Sequence, residues 1–191
     1  VAGGHMIVTP SALTYSSVVS RDSARILLTI AALNDLEVKA CDIRNAYLTA
    51  MNREKIYTIA GEEFGPESGK LMIVTRALYG LKSSGAAFRS HLAEQLHEMG
   101  YVPSKADGDV WMRPAVKPNK FEYYEYVLCY VDDILILSHD PKRTAKSISS
   151  VFNLKDDVNE IVLGLNLVQF MKILNHINHN DELIIKFKGD S

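Results

Sequence analysis

An α+β fold, an antiparallel sheet with helices packed on one face, is the class this sequence predicts, and three observations predict it. Apolar runs with strand-like composition alternate along the chain with segments of helical spacing. Two of the strand-like runs, residues 121–130 and Ile134-Leu135-Ile136-Leu137, are so close in sequence that they form a hairpin, which disfavours a purely parallel sheet. Third, 47% of the 191 residues are hydrophobic, enough for a core in one domain or one domain with a subdomain lobe.

The elements follow in order. Residues 1–19 read as extended chain or loop, with Pro10 and several Ser and Thr. Ser20 or Asp22 caps a helix over 22–34, in which Ala24, Leu27, Leu28 and Ala31 keep helical spacing. The segment 36–43 alternates as a strand, with Leu36, Val38, Ala40 and Asp42 on one side. Residues 44–50 begin a short helix or turn that carries Tyr47, and 54–59 is a strand. A loop from Gly61 to Gly69, with Pro66, leads to a short strand at 71–74. A helix over 84–99 shows Phe88, Leu92, Leu96 and Met99 on one face and stops at Gly100. Strands at 107–113 and 121–130 are joined by a Pro/Lys/Asn loop. Asp140-Pro141 then opens a helix with Ala145, Ile148 and Phe152 at helical spacing. Residues 161–172 fit strand or helix equally, and Leu183-Ile184-Ile185-Lys186-Phe187 predicts a last strand. There is no internal repeat or low-complexity segment.

Composition narrows the function classes. No apolar run is long enough to span a bilayer and no signal-peptide pattern opens the chain, so no membrane partner is expected. The two cysteines, Cys41 and Cys129, form no Cys-x-x-Cys pair. Both lie on strands that could be neighbours and read as small buried hydrophobes in a reducing, intracellular compartment. A net charge of −2 and a pI near 6.3 lack the overall basic balance of a nucleic-acid binder. Basic residues do cluster locally, with Lys70, Arg76, Lys82 and Arg89 in one stretch and Lys142, Arg143 and Lys146 in another. Such runs also occur as ordinary solvated surface. Trp111 and Tyr101 read as core residues, and His176-x-x-His179, with no third ligand in view, reads as a polar turn.

The feature with most chemistry is Tyr130-Val131-Asp132-Asp133. It places two adjacent carboxylates at or near the hairpin tip. Side by side they repel, and burying them unpaired is costly. A divalent cation removes both penalties; an acidic turn is the plainer alternative. Asp42 stands at the end of its strand, facing as its apolar neighbours face. Alone it reads as a strand-ending cap or turn residue. Brought beside Asp132 and Asp133 it completes a cluster able to hold two Mg²⁺ ions, which take oxygen ligands and leave room for substrate phosphates.

Three ordered motifs carry a resemblance. Asp42-Ile43-Arg44-Asn45-Ala46-Tyr47-Leu48 resembles the first catalytic motif of reverse transcriptases. Leu78-Tyr79-Gly80-Leu81-Lys82 resembles the second, in the form peculiar to copia-type LTR retrotransposons, and Tyr130-Val131-Asp132-Asp133 resembles the third. Val18-Val19-Ser20-Arg21 and Lys155-Asp156-Asp157 resemble flanking segments, so the likeness runs from about Val1 to Val168.

The resemblance implies the palm of a right-hand polymerase with partial fingers over 1–168, and a divergent tail over 169–191 placed where the family has its thumb connection. It implies Asp42, Asp132 and Asp133 as catalytic metal ligands, with the Ile43 carbonyl as a further ligand, and Mg²⁺ as the metal, replaceable by Mn²⁺. Tyr47 stands where the family has an aromatic residue under the incoming sugar; its ring would clash with a 2′-hydroxyl. Gly80 allows close backbone approach to template–primer or nucleotide, and Lys82 contacts phosphate. The implied partners are an RNA or DNA template with primer, dNTPs, and the RNase H and integrase regions of the same polyprotein. The implied location is cytoplasmic, in a particle.

The second motif departs from the common copia-type pattern, which continues with Gln, a Pro-Arg pair and a Trp; here Ser83, Gly85-Ala86 and Phe88 hold those places. The opening Val1-Ala2-Gly3-Gly4-His5 resembles the middle of a family segment, so truncation upstream, with loss of basic fingers residues, is expected. A folded but catalytically incomplete remnant is the alternative function. A metal-dependent nuclease on the same carboxylates has no water-positioning residue to support it.

Overall fold

Strand β7 (Asp133–Ser138) is apolar on both faces, and the chain is organised around it. Ile134, Leu135, Ile136 and Leu137 are each at most 5% exposed in the computed structural model, which describes residues 14–154. Successive strand residues point to opposite faces, so a run like this needs cover on both faces and neighbours on both edges. It has β1 (Glu37–Asp42) on one edge and β6 (Glu122–Tyr130) on the other. Strands β5 (Val110–Val116) and β4 (Val102–Pro103) extend the sheet to the order β1-β7-β6-β5-β4, with every pairing antiparallel.

Helices cover both faces of this sheet, not one as expected. Ile134 and Ile136, with Cys41, Val127 and Cys129, pack against Phe88, Leu92 and Leu96 of α3 (Ser84–Glu98) and Ala145 and Ile148 of α4 (Pro141–Ser149). Leu135 and Leu137, with Val110 and Leu128, pack against Ala24, Leu27 and Ala31 of α1 (Arg21–Leu33). The physical reason lies in Val127-Leu128-Cys129 and Ile134–Leu137, which are consecutive buried residues and not alternating ones. Each such side chain withdrawn from water contributes on the order of 1.5–3 kcal/mol, and three of the seven, Leu128, Leu135 and Leu137, face α1.

The helices start and stop for local reasons. Ser20 Oγ accepts the Ser23 N–H at 3.1 Å and caps α1. Asp140 Oδ1 does the same for Arg143 N–H at 3.1 Å, with Pro141 in the first turn of α4. Chain reversal after α3 uses Gly100 at a φ of +85°. Phe152, expected on the helix that Asp140 opens, instead lies beyond its end, where it is 1% exposed against Phe88 and His91.

A separate two-stranded sheet pairs β2 (Met51–Ile59) with β3 (Leu71–Arg76). The expected Gly61–Gly69 loop between them contains a 3₁₀ turn over Glu62–Glu67. The short helix α2 (Ala46–Thr49) connects β1 to this hairpin, and Arg76 Nη1 donates to the Thr49 carbonyl at 2.9 Å.

Cys41 and Cys129 are both buried, but their strands are not neighbours: each pairs with Ile134, from either side of β7. Burial pushes the Cys129 thiol pKa up, which suits a packing role. Trp111 and Tyr101 are core residues, 5% and 1% exposed. The expectations for Val1–Leu13, the segment at Lys155–Asp157, residues 161–172, His176, His179 and the strand at 183–187 fall outside the described residues.

Candidate functional site

The β6–β7 connection has two residues, Val131 and Asp132, between the paired Tyr130 and Asp133. Its first position has positive φ, +57° at Val131. Tight hairpins require positive φ there, and glycine is the residue that adopts it without strain. A β-branched valine in that region is a genuine outlier of the kind that collects at functional sites.

This turn sits beside the end of β1. Asp42 is the Cα partner of Asp133, the last register position of the β1–β7 pairing. Directly opposed residues of an antiparallel pair put their side chains on one face, with Cβ atoms about 5 Å apart. The Ile43 N–H donates to the Asp132 carbonyl at 2.9 Å, which locks the turn against the residue after Asp42. Three carboxylates separated by 90 residues of chain are therefore brought to one corner of the sheet.

Their electrostatics record the crowding. Desolvation, then the charges of Asp132 and Asp42, push the Asp133 pKa up from 3.8 to about 6. Asp132 is raised as well, by desolvation and by Asp42. Two opposed like charges in a sheet are destabilising. The donor set is oxygen only, as a hard divalent cation requires, and a cation placed there would cancel the repulsion. Among the described residues, however, the side chains of three acidic, His or Cys residues do not converge into a ready-made metal cage.

Tyr47 lies on α2, half-buried, at the edge of this corner. Its ring stacks on Tyr79 at 4.4 Å between centroids and 28° between planes, and tilts against Phe88 at 6.0 Å. Desolvation and the Asp132 charge raise its pKa, so it lies within the field of the carboxylates. Gly80 has a φ of +100° in the turn after Tyr79, closed by Leu81 N–H to the Leu78 carbonyl at 3.1 Å. Such a turn needs glycine at that place. Lys82 is exposed just before α3. Ser83, the next residue, uses its hydroxyl to donate to Glu54 Oε2 at 3.3 Å.

The basic clusters are partly spent on structure. Arg89 pairs with buried Asp109 at 2.8 Å, and Lys70 pairs with Glu67 at 2.7 Å. Sequence reasoning also missed Glu125. It is 5% exposed and accepts from Tyr101 Oη at 3.0 Å, Arg113 Nε at 2.7 Å, Ser138 Oγ at 2.9 Å and Thr144 Oγ1 at 3.2 Å. The signal was a lone Glu inside an apolar and aromatic strand; its partners lie far away in sequence.

The chain as a whole is similar to known proteins. A family model described as reverse transcriptase (RNA-dependent DNA polymerase) matches residues 5–188. The chain is 30% identical over 161 residues to the Retrovirus-related Pol polyprotein from transposon TNT 1-94 of Nicotiana tabacum, covering 81% of this chain and 12% of that protein. It is 27% identical over 188 residues to the Retrovirus-related Pol polyprotein from transposon RE1 of Arabidopsis thaliana, covering 91% of this chain and 12% of that protein. Against the Transposon Ty1-NL2 Gag-Pol polyprotein of Saccharomyces cerevisiae the identity is 30% over 156 residues, 73% of this chain and 8% of that protein. The chain thus spans about a tenth of the length of these relatives. No solved structure matches it significantly.

Proposed function

This chain belongs to the reverse transcriptase family, in its copia-type branch, and from that premise we propose that it is the polymerising core of an RNA-directed DNA polymerase. In this reading the β1-β7-β6 sheet with its helices is the palm, and the β2–β3 hairpin belongs to the fingers. The observation that supports it most is the opposition of Asp42 and Asp133 across β1–β7, with Asp132 in the adjoining turn. Asp42, Asp132, Asp133 and the Ile43 carbonyl are the groups that would hold Mg²⁺. Bound there, Mg²⁺ supplies activation of a primer 3′-hydroxyl and charge neutralisation as pyrophosphate leaves the dNTP α-phosphate.

The remaining roles fall to side chains around that corner. Tyr47 presents a ring under the sugar and excludes a 2′-hydroxyl. Gly80 admits the nucleic-acid or nucleotide backbone where a Cβ would intervene. Lys82, exposed, is a point charge for phosphate. The partners in this reading are a template of RNA or DNA with its primer, dNTPs, and the RNase H and integrase regions of a longer polyprotein, in a cytoplasmic particle.

A second reading, a folded remnant that polymerises nothing, draws support from the second motif. There Ser83, Gly85-Ala86 and Phe88 lack the side chains of the common pattern, and Ser83 is engaged by Glu54. Primer extension on an RNA template, with Mg²⁺ and separately Mn²⁺, tests both. Extension by the parent and none by Asp132→Asn is the outcome expected of a polymerase core. No extension by a folded parent favours the remnant.

A further inference from the structure

The ring that would discriminate against ribose stands on a weak support. Helix α2 is four residues long, far short of what holds a helix by itself. Its N-cap, Asn45, sits at a φ of +52° and makes no side-chain cap. A 2′-hydroxyl is a single atom, and excluding it demands a ring held to within about 0.5 Å. The short helix cannot supply that, so neighbours outside it must.

Tyr79 has the placement to do so. Its ring is stacked on the Tyr47 ring at 4.4 Å, closer than the 6.0 Å of Phe88. The opposite end of Tyr47 lies near Gly85, where an added Cβ would stand 3.8 Å from its hydroxyl, an ordinary contact distance, so the stack on Tyr79 is the closer restraint. Tyr79 itself is anchored in a turn, with Leu81 N–H and Ser84 Oγ both donating to the Leu78 carbonyl, at 3.1 and 2.7 Å. Yet Tyr79 is 41% exposed, too open to count as a core residue. A half-exposed ring on a fixed turn, laid flat against a second ring, is poorly explained by stability alone. Burial of its hydroxyl raises the Tyr79 pKa, with Asp132, the Tyr47 hydroxyl and Asp42 adding to the rise and the Tyr47 backbone opposing it, which places it at the carboxylate corner.

We propose that Tyr79 is a positioning residue that fixes the Tyr47 ring and thereby sets discrimination between deoxyribo- and ribonucleotides. This rests on the polymerase reading and adds to it a second ring that acts through the first. Loss of the stack leaves Tyr47 in place but mobile. Discrimination then falls through the KM for ribonucleotide, while the carboxylates remain as they were.

The test is steady-state primer extension by the 191-residue chain with dGTP and with GTP. Folding of each variant is checked by circular dichroism. Tyr79→Ala is expected to lower the dGTP:GTP ratio of kcat/KM by about three- to tenfold, the effect of one lost aromatic stack. Tyr79→Phe, which keeps the ring, is expected to restore the ratio. In a Tyr47→Ala background Tyr79→Ala should add nothing, because the ring through which it acts is gone. Should Tyr79→Ala not fold, Tyr79→Leu takes its place with the same expectations. A ratio within about twofold of the parent, or an effect that persists in full without Tyr47, overturns the proposal alone. Absence of extension by the parent chain overturns the polymerase reading and the proposal with it.

Discussion

Asp42 and Asp133 occupy one register position of the β1–β7 pairing, two carboxylates facing each other where a sheet normally avoids like charges. The fold tolerates this at the last rung of the ladder, beside the turn that carries Asp132. Stability is given up at that corner, and the cost is expressed as a raised proton affinity.

A pH dependence of stability follows. Asp133 is raised from 3.8 in the unfolded chain to about 6 in the folded one. The folded state therefore binds this proton more tightly. The contribution is fully present below 3.8, is lost as pH rises through about 6, and stays lost above it. Urea midpoints measured with chelator are expected to fall across that window. Asp133→Asn should flatten the slope and raise the midpoint at neutral pH, by about 1 kcal/mol of relieved repulsion. A parent midpoint that climbs through the window would show that the carboxylate is held charged by a partner and not repelled.

Divalent cations should reverse the penalty. Adding Mg²⁺ or Mn²⁺ to the parent chain is expected to raise the melting temperature at neutral pH, and a chelator should return it. The shift should shrink in Asp42→Asn and in Asp132→Asn, each of which is expected to be more stable than the parent without metal. Equal shifts in all three proteins would place the cation elsewhere.

The turn offers a different trade. Val131 has a φ of +57°, a region that costs a β-branched residue about 1–3 kcal/mol. Val131→Gly relieves that cost and adds back roughly 0.5–1 kcal/mol of unfolded-state freedom. A net gain of about 1 kcal/mol in denaturant unfolding is expected. Primer extension should fall at the same time, because a glycine turn no longer fixes Asp132. Loss of stability in Val131→Gly would mean that the valine side chain earns its place by packing.

Glu125 is a stability residue away from the corner. Four side chains, Tyr101, Arg113, Ser138 and Thr144, donate to it in the core. Glu125→Ala removes the acceptor of Arg113 Nε and of three hydroxyls in the core, and should destabilise by about 3–5 kcal/mol. Glu125→Gln keeps the shape and loses the charge, so its loss should be smaller. Chemical denaturation of both variants decides it; equal losses would mean that shape alone matters.

Much of this protein is legible in the linear chain because the signals are local. Helix α1 shows its Ser20 cap and its apolar spacing within 14 residues, and α3 ends where Gly100 reverses the chain. The hairpin at Val131-Asp132 is visible in two β-rich runs, residues 121–130 and 134–137, that lie three residues apart. Asp42 alternates in step with Val38 and Ala40, so even its direction could be read from strand periodicity. Phe152 was misplaced because helical spacing continues past the last hydrogen-bonded turn of α4.

The sequence by itself determined the element types, the antiparallel hairpin and the three carboxylates as a candidate set, since propensity, capping and periodicity act over a few residues. Only the tertiary structure decided that helices cover both sheet faces, because a consecutive apolar run such as Ile134–Leu137 does not say what covers it. It alone decided that Asp42 opposes Asp133 at one register position, that Glu125 gathers four donors, and that Tyr79 lies flat on Tyr47. Each of these joins residues 12 to 91 positions apart, and register and packing over such distances are fixed by how all the strands and helices fit at once.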